Sequence, residues 1–80
     1  MKNIKPVAEI KDYGKIEIHL REIMEKQGVT RNQLARLTST RFEVINKWYN
    51  GKVERIDTDI LARLCFCSGC SINEIIEYKQ

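Results

Sequence analysis

The sequence predicts an all-α fold of five short helices, and three observations lead there. Apolar residues recur at helical spacing through most of the 80-residue chain. Helix-starting and helix-stopping residues punctuate that pattern at short intervals. No internal repeat or low-complexity tract competes with it. The length accommodates one small domain, with no room for a separate effector-binding or catalytic domain.

Residues 1 to 15 show no sustained period and contain Pro6 and Gly14. They read as an N-terminal arm, flexible or extended, ahead of a domain covering residues 16 to 80. Ile16 and Ile18 alternate around Glu17, which suits a short strand leading into the first helix. A minor pairing of that strand with Tyr78-Lys79 is compatible with the pattern. Leu20, Ile23 and Met24 mark helix one, with Gly28 as its C-terminal cap. Thr30 and Gln33 form a capping box opening helix two, which runs from about Arg31 to Leu37 with Leu34, Ala35 and Leu37 facing inward. Thr38-Ser39-Thr40 interrupts the helical pattern, because these side chains favour caps and turns. Val44, Ile45 and Trp48 give helix three, from about Arg41 to Tyr49, its own buried stripe, and Asn50-Gly51 ends it. Asp57 or Thr58 caps a fourth helix whose inner face includes Leu61, Leu64 and Cys65. Ser71 with Glu74 is a second capping box, opening a short fifth helix with Ile72, Ile75 and Ile76 inside.

Helices two and three, joined by a tight turn, carry the functional signal. Arg41, Phe42, Glu43, Asn46 and Lys47 remain on the outer face of helix three. Such a surface suits the major groove of DNA, where Arg and Lys bond guanine, Asn pairs with adenine and Glu accepts from the cytosine amine. Phe42 suits contact with a thymine methyl; its structural alternative is an apolar cover for the turn. The expectation is a DNA-binding helix-turn-helix.

The stretch from Thr30 to Gly51 resembles the lambda-repressor-like, Cro/CI family of helix-turn-helix regulators, also called the Xre family. Leu34-Ala35, the turn Thr38-Ser39-Thr40, Ile45, Trp48 and Asn50-Gly51 carry the resemblance. It continues through Lys52 to Asp57, Leu61, Leu64, Cys65, Cys70-Ser71 and Glu74 to Tyr78, in the manner of the small single-domain branch. Roughly residues 16 to 80 are covered. The resemblance implies a five-helix lambda-repressor-like domain in which the start of helix three enters the groove, so that Arg41, Phe42 and Glu43 lie nearest the bases. It also implies that Arg31, Asn32, Asn50 and Lys52 flank the groove and hold phosphates, fixing register without reading sequence. Ser39 departs from the family pattern, which has Gly in the turn; a positive φ there would strain a residue bearing a Cβ.

The net charge of +3 is modest but unevenly placed. Residues 26 to 55 carry seven basic against two acidic residues, whereas residues 1 to 25 balance and residues 56 to 80 are acidic. An electrostatic footprint for phosphate therefore coincides with the helix-turn-helix.

Other classes find little support. Cys65, Cys67 and Cys70 lack paired C-x-x-C knuckles, and the first two diverge by about 200° on one helix, so structural thiols are expected and no metal. His19 is the only histidine and has no nucleophile pattern nearby, while Asp57 and Asp59 suit a helix start. No catalytic residues, cofactor or small-molecule ligand are expected. No apolar run reaches membrane length and no signal peptide is evident, so the expectation is a cytoplasmic protein. The expected function is a sequence-specific regulator of double-stranded DNA, a repressor acting by operator occupancy as a homodimer. Its dimer surface lies on the C-terminal helix or the N-terminal arm, and the sequence leaves that choice open. The alternative is an antitoxin-like or adaptor module binding a protein through the same fold, kept open by Phe42 and residues 1 to 15.

Overall fold

The computed structural model describes Pro6 and residues 12 to 80, so most of the N-terminal arm expected over residues 1 to 15 lies outside the described residues. The element order is β1 (Lys15–Ile18), α1 (Leu20–Gln27), α2 (Arg31–Leu37), α3 (Phe42–Tyr49), α4 (Thr58–Ser68), α5 (Ile72–Ile75) and β2 (Ile76–Lys79). The five expected helices are present. The strand pair that the sequence only allowed is present too: β1 and β2 form an antiparallel two-stranded ribbon with Ile16 opposite Tyr78 and Ile18 opposite Ile76.

Local chemistry explains most boundaries. The Thr30 hydroxyl accepts from Gln33 N–H at 3.1 Å while Gln33 Oε1 accepts from Thr30 N–H at 2.8 Å, a reciprocal capping box. Asp57, rather than Thr58, caps α4 by accepting from the N–H groups of Asp59 and Ile60. At α5, Glu74 accepts from both the N–H and the hydroxyl of Ser71, and those bonds hold its carboxyl below the usual carboxylate range. Gly28 ends α1 in the left-handed conformation at φ 66°.

One core gathers all the helices: Leu20 and Met24 from α1, Leu34 and Ala35 from α2, Ile45 and Trp48 from α3, Leu61 and Leu64 from α4, and Ile75 from α5. Two sequence expectations are corrected. Leu37 was expected to face inward, but it is 63% exposed, and Thr38 is buried in its place. Residues 34, 35 and 38 follow the helical repeat on one face, and the Thr38 hydroxyl satisfies itself by donating to the Leu34 carbonyl at 2.7 Å. Ile72 was also expected inside and is 53% exposed; a single-turn helix has only one inner position, and Ile75 fills it.

The turn between α2 and α3 places Ser39 at φ 50°, the only positive φ outside glycine among the described residues. An L-residue in that region costs about 1–2 kcal/mol. The Arg63 guanidinium, on α4, donates to the carbonyls of Thr38 (3.2 Å) and Ser39 (3.0 Å) and pairs with Asp59 at 2.9 Å, so it holds the turn from outside. Sequence alone left Arg63 without a role.

His19 joins the ribbon to α1. Its Nδ1 lies 2.9 Å from Glu22 and its Nε2 3.0 Å from Glu77, and its backbone N–H donates to Ile75 at 2.7 Å. Hydrogen bonding to Glu77, and then to Glu22, raises the imidazole pKa from its ordinary 6.5, while the same bond lowers that of Glu77.

Ser39→Gly should raise stability by about 0.5–1 kcal/mol, the relief of the left-handed strain less the added entropy of the unfolded glycine. Chemical denaturation of the two proteins checks this. For His19 the raised pKa means that its contribution is fully present below about pH 6.5 and is lost as pH rises through the folded-state value. Denaturation midpoints should therefore fall from pH 6 towards pH 8 in the native chain, and His19→Gln should flatten that slope.

Candidate nucleic-acid interface

The inner and outer faces of α3 are sharply divided. Ile45 and Trp48 are buried at 0% and 3% exposure, which turns Arg41, Phe42, Glu43 and Lys47 to the surface and leaves Asn46 half-buried. Arg41 is the N-cap residue, with extended backbone and no side-chain cap bond. The N–H groups of Val44 and Ile45 return to the Arg41 carbonyl, whereas those of Phe42 and Glu43 have no intrahelical acceptor. The first turn of α3 thus presents open N–H groups and the positive end of its dipole beside the Arg41 side chain.

Arg31, on α2, reaches across to α3. Its guanidinium donates to Asn46 Oδ1 at 2.7 Å and lies over the rings of Tyr49 (4.6 Å) and Phe42 (5.9 Å). Arg21, from α1, lies over Tyr49 as well, at 5.4 Å. The structure therefore brings Arg31 and Asn46 into one unit. Arg31 fixes the amide with Oδ1 towards itself, and the Asn46 NH₂ remains a donor. Sequence reasoning had placed these two residues in separate roles and passed over Tyr49. The spacing of an arginine on one helix against an asparagine and a tyrosine on the next becomes visible only once the helices cross.

The other end of α3 is equally defined. Gly51, at φ 68°, lets Lys52 N–H return to the Lys47 carbonyl at 2.9 Å, a Schellman-type ending that leaves Asn50 and Lys52 exposed directly past the helix. Asn32 is exposed in the first turn of α2. Among the described residues, no carboxylate pairs with Arg31, Arg36, Arg41, Lys47, Lys52 or Arg55. The positive charge of this region is thus unneutralised by the protein itself, as a surface for polyanions requires.

The thiols make separate local contacts: Cys67 Sγ approaches the Leu37 carbonyl at 3.5 Å and Cys70 Sγ the Ser68 carbonyl at 3.8 Å. All three cysteines are unpaired and half-buried.

This geometry agrees with comparison to known proteins. Residues 19–80 match the family model of the Cro/C1-type HTH DNA-binding domain. The chain belongs to that family. Its fold is similar to that of a crystal structure from Bacteroides fragilis described as a putative DNA-binding protein, with a TM-score of 0.69. That likeness covers 79% of this chain and 100% of the other at 14% identity, and it shows the fold. No curated protein matches the sequence. No helix among the described residues is long and apolar enough to cross a membrane.

Arg41 occupies a capping position for which its side chain is unsuited, so a trade between stability and binding is expected. Arg41→Ser should supply the missing acceptor and stabilise the fold by about 1 kcal/mol, a rise of roughly 4–8 °C in Tm. The same change should weaken binding to a preferred duplex by about 1–3 kcal/mol. Thermal melts and duplex titrations on one protein sample check both signs.

Proposed function

We propose that this Cro/C1-type domain is a sequence-specific double-stranded DNA-binding regulator that represses by occupying its operator as a homodimer. The observation that carries the reading is the division of α3: its inner face is committed to the core, and its outer face offers Arg41, Phe42, Glu43, Asn46 and Lys47 beside unneutralised positive charge. In this reading the start of α3 enters the major groove. Arg41 bonds guanine, Glu43 accepts from cytosine or orients Arg41, and Phe42 meets a thymine methyl. Asn46, steadied by Arg31, and Lys47 read one turn further along.

Arg31, Asn32, Asn50 and Lys52 hold phosphates at either end of the two helices. Support for Asn50 and Lys52 comes from the fixed ending at Gly51, which leaves both outside α3 and clear of its reading face. One such unit spans only a few base pairs. Two units on half-sites about 34 Å apart supply the missing specificity, and the bound dimer blocks polymerase or a competing activator.

A second reading, a protein-interaction module of antitoxin or adaptor type, draws on a specific surface. Leu37 is 63% exposed and Phe66 is 88% exposed, and both line one hollow with Ala62, Arg63 and Cys67. Retention on heparin or random duplex with a steep salt dependence favours the DNA reading; little retention favours the module.

Selection from a random duplex pool should return a palindromic preferred site. On that site and on a random duplex, Lys52→Ala should weaken binding alike and lower the salt slope by about one unit. Asn50→Ala should weaken both with little change of slope, since a neutral amide displaces no counterion. A loss confined to the preferred duplex for Lys52→Ala would mean that Lys52 reads sequence and that the docking of α3 is wrong.

A further inference from the structure

The β1–β2 ribbon has one apolar and one charged face. Ile16, Ile18, Ile76 and Tyr78 alternate onto the first; Lys15, Glu17, Glu77 and Lys79 occupy the second. Ile18 and Ile76 pack on the core. Ile16 and Tyr78 are 54% and 57% exposed. Tyr78 donates its hydroxyl to the Tyr13 carbonyl at 2.7 Å, and its ring covers Gly14, where a Cβ would lie 2.9 Å from it. The apolar face therefore extends beyond the core as an ordered surface.

The backbone of the ribbon is open along the outer edge of β1. His19 N–H donates to Ile75, and pairs in an antiparallel ladder alternate, so Glu17 and Lys15 exchange their main-chain bonds with Glu77 and Lys79. The N–H and C=O groups of Ile16 and Ile18 consequently point away from β2. Among the described residues no other segment bonds to them. An exposed edge of this kind is a template for another strand.

We propose that β1 is a dimerisation edge, paired antiparallel with β1 of a second copy about a two-fold axis centred on Ile16. Charge and pleat together select that register. Centring on Ile16 sets Lys15 opposite Glu17 of the second copy, Ile16 opposite its own counterpart, and Glu17 opposite Lys15. Centring on Glu17 or on Lys15 would set like charges face to face, and an odd shift would set apolar residues against charged ones. Centring on Ile18 would set Ile16 against Leu20, which already belongs to α1. The outward N–H and C=O of Ile16 are the groups that a hydrogen-bonded central pair needs. The result is a four-stranded sheet whose apolar face joins Ile16 and Tyr78 of both copies.

β2 has the same charge order, and Glu17 and Glu77 each lie 3.6 Å from a lysine of their own strand. What separates the strands is that the outward N–H of Ile76 on β2 already donates to the Ile72 carbonyl, and that His19 holds Glu77 at 3.0 Å against 4.0 Å for Glu17. The outer edge of β1 also borders an open hollow shared with Gly51, so the dyad falls near the end of the recognition unit. An edge of four residues is far smaller than the roughly 20–30 residues a side of a standard interface. The dimer is therefore reversible with concentration and is completed on palindromic DNA.

This inference rests on the dimeric part of the proposed function and not on DNA recognition. The test is accordingly sedimentation equilibrium without DNA, up to about 1 mM protein, with circular dichroism to verify folding of each variant. The native chain should self-associate. Lys15→Glu and Glu17→Lys should each weaken association about tenfold, because each turns two opposite-charge pairs into like-charge pairs. An equimolar mixture of the two variants should regain it, since both ion pairs re-form in the mixed dimer, and the double reversal should regain it as well. Phe66→Ser should associate as the native chain does. The proposal is overturned by a native chain that stays monomeric throughout, by single reversals without effect, or by a mixture that fails to recover. Dissociation by Phe66→Ser would overturn it too, moving the interface to the Leu37–Phe66 patch. Loss of duplex binding with self-association intact would instead count against the DNA reading alone.

Discussion

Burial of Ile45 and Trp48 against Leu34 and Ala35 fixes the rotation of α3, and every functional statement about this domain depends on that rotation. A helix has one set of residues to commit to the core, and what is left over is the surface. Removing these two side chains from solvent stabilises the fold by roughly 1.5–3 kcal/mol each. A rotation that exposed them would forfeit that and would carry Arg41 and Lys47 into an apolar interior, where an unpaired charge costs several kcal/mol. The presentation of the basic face is thus a consequence of the core.

The crossing of α2 and α3 is held from several sides. Buried Thr38 ends α2 with its hydroxyl satisfied internally, Ser39 reverses the chain at a strained φ, and Arg63 on α4 binds the carbonyls of both. Arg31 adds a link on the outer side, through Asn46 and Tyr49. The strain at Ser39 persists because these contacts over-determine the turn. On the proposed DNA reading this rigidity has a use, since side chains that read bases must be held in place before the encounter if binding energy is not to be lost in ordering them.

The ribbon answers a different requirement. It ties the segment before α1 to the segment after α5, and His19 reinforces the closure by bridging Glu22 and Glu77. Charged residues on one face and aliphatic and aromatic residues on the other let a two-stranded element, marginal in isolation, rest on a helical core. That same alternation gives its outer edge a preferred register for a second strand.

Much of this was legible in the sequence because it is local. Capping residues, glycine at a helix end and apolar spacing act over a few positions, so Thr30 with Gln33, Gly28, Ser71 with Glu74, and the inner stripe of Ile45 and Trp48 identified themselves, whereas Asp57 and Thr58 stayed alternatives until the structure chose Asp57. So did the outer face of α3 and the concentration of positive charge from residue 26 to residue 55. Ser39 as the point of strain was visible through the family resemblance, whose pattern has Gly at that turn, where a Cβ resists a positive φ. Tertiary structure alone decided the rest. It placed Thr38 inside and Leu37 outside, because a polar residue can be buried when a carbonyl on its own helix accepts its proton. It left Ile72 outside, because a one-turn helix has a single inner position. It also brought together partners far apart in the chain: Arg63 with the turn, Arg31 with Asn46 and Tyr49, and His19 with Glu77. No periodicity encodes such pairs, because each depends on how helices cross and not on spacing along one of them.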